Sequence, residues 1–102
     1  MRSFYGLNGR VSIEDNAVIL TRESKFDEIF HELGVFSIPV SQITKVIYSP
    51  GSVTNGYMSF LRKGDRRPIS VFTALKNKNT IIFRFTKNEE AKEIADYVKS
   101  LI

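Results

Sequence analysis

The chain of 102 residues contains no cysteine and only one histidine, His31. The missing cysteines exclude disulfides, zinc sites with thiolate ligands and cysteine nucleophiles. No positively charged start followed by an apolar stretch is present, so we expect no secretory leader. The longest run of consecutive apolar residues, 17–20, has four members, whereas a membrane-spanning helix needs about 20. We therefore expect a single cytoplasmic domain over residues 1–102 without a transmembrane segment.

Residues with catalytic potential are scarce. His31 lies on the polar side of a predicted helix near Asp27 and Glu28, which is typical of a surface residue rather than a general base. The segment HELGV begins like a zinc-protease motif, but Val35 occupies the position of the second histidine. Carboxylates do not cluster to complete another metal site. The sequence therefore predicts a protein that is not an enzyme and that binds no metal or cofactor.

The segment GSVTNG, residues 51–56, has the glycine spacing of a phosphate-binding loop. Tyr57 and Met58 follow it where such a loop requires lysine and serine or threonine. The next residues are typical of a strand, so no helix begins there. We interpret Gly51 and Gly56 as positions with positive φ in an inter-strand loop.

Positive charge is concentrated in the middle of the chain. Residues 33–88 carry nine basic side chains and one acidic residue, Asp65, while residues 1–32 and 89–102 each sum to −2. In the simpler interpretation, carboxylates collect on the helices and leave the cations to strands and turns. The alternative is a basic face that attracts an acidic partner.

Short alternating segments bounded by turn residues predict seven strands. Asp15-Asn16 fits a tight hairpin turn, and Pro39 indicates an edge strand or a bulge. Alternation places Ile81, Phe83 and Phe85 on one face of the last strand. The predicted strands are residues 9–14, 17–22, 35–40, 43–49, 57–62, 69–73 and 80–85.

Two segments have the periodicity of amphipathic helices. The C-terminal segment begins at Asn88, a candidate N-cap, with acidic residues in its first turn. Its apolar stripe comprises Ala91, Ile94, Ala95, Val98, Leu101 and Ile102. A shorter helix over residues 24–34 has a stripe of Phe26, Ile29, Phe30 and Leu33.

Several motifs resemble a bacterial pleckstrin-homology-like family of unknown function: GLNGRVSIEDNAVILTR, FSIPVSQITKVIY, SPGSVTNGYMSF and NKNTIIFRFTKNEEAKEIADYV, from residue 6 to residue 98. The resemblance implies a mainly β fold of seven antiparallel strands in two near-orthogonal sheets, capped by the C-terminal helix. We expect a partly open barrel with a helical insertion after the second strand. A free-standing domain of this kind suits a bacterial or phage-borne regulatory protein.

A resemblance of fold, by itself, supports no functional conclusion more specific than a binding module. We take EDN, residues 14–16, as the first hairpin loop, and its acidic character argues against headgroup binding at the usual place. We expect contacts with a protein partner, or self-association, through the stripe Phe26, Ile29, Phe30 and Leu33.

The alternative is binding of an anionic ligand, either nucleic acid or a lipid headgroup, through a basic loop face. The segment RKGDRR, residues 62–67, has the chemistry of a hairpin turn, yet its arginines also suit phosphate or carboxylate. An acidic protein partner fits the same residues. The candidate anion contacts are Arg62, Lys63, Arg66, Arg67, Lys76 and Lys78, with Lys87 joining them if its loop lies on the same side.

Overall fold

The computed structural model describes residues 2–22, 35–68 and 77–102. These stretches contain seven antiparallel strands in two sheets, followed by a C-terminal helix. Within them, no strand of one sheet pairs with a strand of the other, so the sheets do not close into a barrel. The predicted helix over residues 24–34 and the predicted strand over residues 69–73 lie outside the described residues.

The first sheet has the order β1-β2-β3-β4, with β1 Arg2–Tyr5, β2 Gly9–Glu14, β3 Ala17–Arg22 and β4 Val35–Pro39. Val11 and Ile13 are buried as their alternation predicts. The β2–β3 hairpin turns at Asp15 and Asn16, which have φ angles of 48° and 62°. Two consecutive positive φ angles are typical of the type I′ turn that matches strand twist.

Strand β1 is absent from the sequence prediction. It has four residues, and only Phe4 among them is buried, so alternation gives no signal. Because β1 pairs with β2, the first hairpin loop is residues 6–8. The acidic turn at residues 14–16 belongs to the second hairpin, and the argument that placed it in the first was wrong.

Pro39 ends β4, an edge strand of this sheet, as predicted. A proline on an edge leaves no ladder donor missing. The chain then forms a 3₁₀ turn, Val40–Gln42, and the Val40 N–H donates to the Asn16 carbonyl over 2.8 Å. This bond fixes the corner between the two sheets.

The second sheet has the order β5-β6-β7, with β5 Ile43–Ser49, β6 Gly56–Arg62 and β7 Thr80–Phe83. Its inner face contributes Met58 and Phe60, both fully buried, to a core shared with the first sheet and the helix. Its outer face is buried as well. There a second apolar cluster contains Ile47, Tyr57, Leu61 and Ile82.

Asn8 joins the two sheets. Its side-chain amide donates to the Thr80 carbonyl over 3.1 Å, and its side-chain oxygen accepts from the Ile82 N–H over 2.9 Å. The Leu7 N–H donates to the Ile82 carbonyl over 2.7 Å. The loop between β1 and β2 thus satisfies backbone groups along the outer edge of β7, where an unpaired edge would otherwise be exposed.

Close approach explains Gly6 in the same loop. A Cβ on Gly6 would lie 2.4 Å from the Ile82 carbonyl oxygen. Any side chain at this position would push the loop away from β7. Glycine is therefore required for the hydrogen bonds of Leu7 and Asn8.

The C-terminal helix α1, Asn88–Leu101, packs mainly on β5 and β1. Ala91, Ile94, Ala95 and Val98 are buried as their spacing predicts. The end of the predicted stripe was wrong, because Leu101 and Ile102 are exposed. The buried stripe of α1 therefore ends at Val98, about one turn before the predicted stripe ends.

The N-cap assignment of Asn88 was also wrong. Lys87 occupies the cap position, and no side-chain cap hydrogen bond is made. Asn88 instead binds the backbone of Gly51, donating to its carbonyl over 2.9 Å and accepting from its N–H over 2.8 Å. The side chain therefore clamps the β5–β6 loop to the start of the helix.

Tyr48 supports this clamp from β5. Its hydroxyl donates to the Asn88 carbonyl over 2.9 Å, and its ring stacks on Phe83 with centroids 6.0 Å apart. Burial, and to a lesser degree the negative charge of Asp96, raises the pKa of Tyr48 above its usual value of 10.0. The neutral hydroxyl is the form that this contact favours.

Phe85 does not share the buried face of Ile81 and Phe83, contrary to the alternation. Strand β7 ends at Phe83, and a 3₁₀ turn, Phe85–Lys87, leads into α1. Because the backbone leaves the strand before Phe85, its side chain is 62% exposed.

Candidate binding surface at the basic end

Residues 62–65 form a turn that is fixed by one carboxylate. Asp65 accepts hydrogen bonds from the Arg62 N–H over 2.9 Å and from Arg62 Nε over 3.2 Å. In return the Asp65 N–H donates to the Arg62 carbonyl over 3.0 Å. Gly64 has φ of 90°, a conformation that favours glycine. The predicted turn chemistry of this segment is confirmed.

The same contacts perturb the titration of Asp65. The hydrogen bond from the Arg62 N–H is the largest cause that lowers the pKa of Asp65 below its usual value of 3.8. Burial opposes this shift, while the Arg62 side chain and Asn79 add to it. Asp65 is therefore a structural anion that stays charged at neutral pH.

A second turn, residues 77–79, lies against the first. The Asn79 side-chain amide approaches the Asp65 carboxylate to 3.5 Å, and the Asn79 carbonyl accepts from the Phe60 N–H over 3.0 Å. These contacts place Lys78 beside the residue 62–67 segment.

A buried polar network supports the second turn from below. Asn79 accepts from the Thr80 hydroxyl over 3.0 Å, and the Thr80 and Ser59 hydroxyls lie 2.7 Å apart. All three side chains are buried. Buried polar groups with partners rigidify their surroundings, so the two turns have a fixed base.

The cations at this place define the surface that we call the basic end: the half-buried Arg62 and the exposed Lys63, Arg66, Arg67 and Lys78. Arg62 is committed to Asp65 and also lies over the Phe36 ring, 5.1 Å from its centroid. Among the described residues, Arg62–Asp65 is the sole ion pair. The other four cations of the basic end therefore face solvent without a carboxylate partner in those residues.

Other predicted or neighbouring cations have different positions. Lys76 lies outside the described residues. Lys87 follows the far end of β7, and its ammonium is 5.9 Å from the Phe4 ring, so it does not join the basic end. Lys45 was not predicted, although it is exposed and pairs across the ladder with Leu61, beside Arg62. Its only sequence signal was its place on a strand whose register was unknown.

Two exposed aliphatic residues are adjacent in sequence to residues that contact the basic end or the strand leading from it. Leu7 is 46% exposed and precedes Asn8, whose amide binds the Thr80 carbonyl. Val35 is 66% exposed and precedes Phe36, which lies under Arg62. We call Leu7 and Val35 the apolar margin of the basic end, because the backbone connects them directly to Asn8 and Phe36.

The predicted protein-contact residues Phe26, Ile29, Phe30 and Leu33 lie outside the described residues, as does His31. They stay predictions. Across residues 2–22, 35–68 and 77–102, no group of three or more histidine, cysteine, aspartate or glutamate side chains is placed to hold a metal ion.

The glycines of the GSVTNG loop are there for close packing, and their assignment to positive φ was wrong. A Cβ on Gly56 would lie 2.5 Å from the Gly51 nitrogen and 2.6 Å from the Ser49 oxygen. A Cβ on Gly51 would meet the Phe85 backbone at 2.9 Å. The two ends of the loop are therefore packed tightly against each other, and Asn88 holds Gly51 at the start of α1.

Two shallow grooves of about 400 Å³ and 460 Å³ lie near the β2–β3 turn. They share Asn16 and Leu101 as lining residues. The β2 register puts this turn at the opposite end of the first sheet from Gly9. The larger groove is also lined by Ile43, which pairs with Arg62 in the ladder between β5 and β6.

Residues 11–99 match the model of a family described as a domain of unknown function, DUF4429. The chain belongs to this family. A search of curated proteins and a search of solved structures give no match. The matched range includes both turns of the basic end and the Asn88 clamp, whereas Gly6 and Asn8 precede it.

The family description assigns DUF4429 domains no activity and no ligand. No helix in the described part of the chain is long and apolar enough to cross a membrane. The functional assignment of this DUF4429 domain therefore rests on its own surface chemistry.

Proposed function

We propose that the chain is a non-enzymatic binding module that acts through contacts with another protein, in a regulatory role. The observation that carries the proposal is the basic end, where two hydrogen-bonded turns present exposed cations on a rigid base. A backbone that is already ordered loses little conformational freedom when it meets a partner. Lys63, Arg66, Arg67 and Lys78 have the chemistry to contact carboxylates.

The engagement of the interior polar side chains supports a binding role over catalysis. Asn8, Ser59, Asn79 and Thr80 are buried, and each is used in the hydrogen bonds that hold the strands and turns together. Activated catalytic groups generally combine a perturbed pKa with an open cleft. The shifted groups Asp65 and Tyr48 owe their shifts to structural contacts.

We further propose a pleckstrin-homology-like fold, since seven antiparallel strands in two sheets followed by a packed terminal helix agree with what the sequence resemblance implies. The stripe Phe26, Ile29, Phe30 and Leu33 remains part of this proposal as a second protein contact. We place the protein in the cytoplasm of a bacterium or of a phage-infected cell, in keeping with the absence of cysteine.

The second candidate function is binding of nucleic acid or a lipid headgroup through the same loops. It is favoured by the contact between Asn79 and Asp65, because that contact gathers cations from two loops. Phosphate binding of this kind weakens steeply as salt rises.

Affinity capture from nuclease-treated and untreated lysate tests the proposal and separates the two candidates. The baits are the wild type, a basic-end variant with Arg66→Ala and Arg67→Ala, and a control with Lys92→Ala and Lys99→Ala. The control removes the same charge from exposed positions on α1.

We expect a specific protein that survives nuclease, is retained by the control and is lost with the basic-end variant. Capture of nucleic acid alone would favour the second candidate. Absence of any specific protein would count against the proposed function. A protein retained equally by all three baits would place the contact elsewhere on the module.

A further inference from the structure

The basic end combines two kinds of surface that different ligands require. Its centre has four exposed cations without described carboxylate partners. Its margin has Leu7 and Val35, and the backbone holds both in place. Leu7 donates its N–H to Ile82, and Val35 pairs with Thr21 in the ladder between β3 and β4.

Aromatic side chains at the basic end are covered. Phe36 lies under Arg62, and Tyr57 is buried with its hydroxyl donating to the Pro68 carbonyl over 3.3 Å. Among the described residues, the exposed large aromatics are Tyr5, which contacts Arg10, and Phe85, which lies beyond the far end of β7. Proteins that bind single-stranded nucleic acid stack bases on exposed aromatic rings, and the described residues of this surface include no exposed ring.

We propose that the basic end binds a polypeptide segment in which carboxylate side chains are combined with aliphatic ones. The carboxylates contact Arg66, Arg67, Lys63 and Lys78, and the aliphatic side chains contact Leu7 and Val35. This inference rests on the proposed function and names the chemistry of its protein partner. Charge provides orientation and salt sensitivity, while the apolar margin provides discrimination against ligands that are only anionic.

Phosphate polymers and lipid surfaces match this surface less well. A ligand that is only anionic obtains no binding free energy from contacts with Leu7 or Val35. The four exposed cations also neutralise few phosphates, so the electrostatic contribution to its binding is small. A partner with both chemistries uses the whole surface. The recognised segment is therefore expected to resemble an acidic stretch interrupted by leucine, isoleucine or valine.

Selection from a displayed library of random peptides on the immobilised full chain tests the inference without a known partner. We expect the enriched peptides to contain aspartate or glutamate together with aliphatic residues. Enrichment of peptides without carboxylates, or no enrichment at all, would overturn the inference.

Fluorescence anisotropy with an enriched peptide then assigns the surface. Arg66→Ala with Arg67→Ala, and separately Leu7→Ser with Val35→Ser, should each raise Kd by about tenfold, whereas Lys92→Ala with Lys99→Ala should leave it unchanged. Thermal melting checks that all variants remain folded. If neither pair of substitutions changes the Kd, the peptide binds elsewhere and the inference is contradicted.

Competition distinguishes the other anionic ligands. Duplex DNA, a single-stranded oligonucleotide and phosphatidylserine vesicles should each displace the peptide only weakly. Strong displacement by any of them would make the phosphate ligand the better occupant. Lysate capture can still yield a protein that binds the wild type and the Arg66→Ala, Arg67→Ala variant equally. In that case the proposed binding function is supported and only this inference fails.

Discussion

At the scale of single residues, two polar side chains, Asn8 and Asp65, satisfy backbone groups that the strands leave unpaired. Asn8 satisfies two backbone groups of β7, and Asp65 satisfies the Arg62 N–H while it pairs with the Arg62 side chain. Both side chains replace hydrogen bonds that a continuous ladder would have made. Removing either one leaves a buried or half-buried backbone group without its partner, which is more costly than losing an exposed contact.

Asp65 gives a prediction about pH. Its pKa is lowered in the folded state, so its stabilising effect is fully present above its usual value of 3.8 and is lost as pH falls through the folded value. Asp65→Asn should therefore lower the free energy of unfolding at neutral pH, and the difference from wild type should shrink in acid. Denaturant titrations from pH 7 to about pH 2 measure this. A difference that stays constant over that interval would contradict the assigned role.

At the scale of elements, tight contacts between loops and neighbouring strands or helices position the surface. The β1–β2 loop lies on β7, the residue 77–79 turn lies on the residue 62–65 turn, and the β5–β6 loop lies on the start of α1. In each case side-chain amides bind backbone groups or a carboxylate. These three loops are therefore fixed parts of the fold and provide rigid sites for contact.

The Asn88 clamp can be separated from helix capping by two substitutions. Asn88→Ala removes both bonds to Gly51 and should destabilise the fold by roughly 1–3 kcal/mol. Asn88→Asp, which suits an N-cap as well as asparagine does, cannot donate to the Gly51 carbonyl and should also destabilise.

Hydrogen exchange locates the effect of these changes. We expect faster exchange at the Gly51 amide, whose bond to Asn88 is lost or weakened, while the interior of α1 keeps its protection. Full rescue of stability by aspartate would mean that Asn88 acts as a cap after all.

At the scale of the whole molecule, one core connects both sheets and the helix. Phe83 lies at its centre, since its ring meets Phe4 edge-on at 5.7 Å and stacks on Tyr48 at 6.0 Å. These three residues come from β7, β1 and β5. The sheets are consequently expected to unfold together, even though no ladder joins them in the described residues.

Phe83→Ala and Phe85→Ala form a matched pair that tests this core. Phe83 is fully buried, so its loss should cost about 3–5 kcal/mol and lower protection in both sheets. Phe85 is exposed, and its change should stay within about 0.5 kcal/mol. Equal effects of the two substitutions would show that the alternation over residues 80–85 was correct and that the observed end of β7 was not.

The sequence by itself determined the elements whose signals are local. The core positions of β2 and β6, the turn at Asp15-Asn16 and the buried stripe of α1 follow from spacing along the chain, because periods of two and 3.6 residues fix which side chains share a face. The turn at residues 62–65 is also local in origin, because Gly64 and Asp65 have the chemistry that such a turn requires. Strand β1 escaped prediction because four residues with one buried side chain carry no periodic signal.

Only the tertiary structure decided which segments meet. Asn88 has the sequence context of a cap, but Gly51 lies within reach and uses both ends of its amide. Gly51 and Gly56 have the sequence context of turn glycines. Glycine is required there because neighbouring backbone atoms leave no room for a Cβ. Lys78 joins the basic end and Lys87 does not, because Asn79 contacts Asp65 while β7 leads Lys87 away. Such contacts depend on residues that are distant in the chain, and local periodicity contains no information about them.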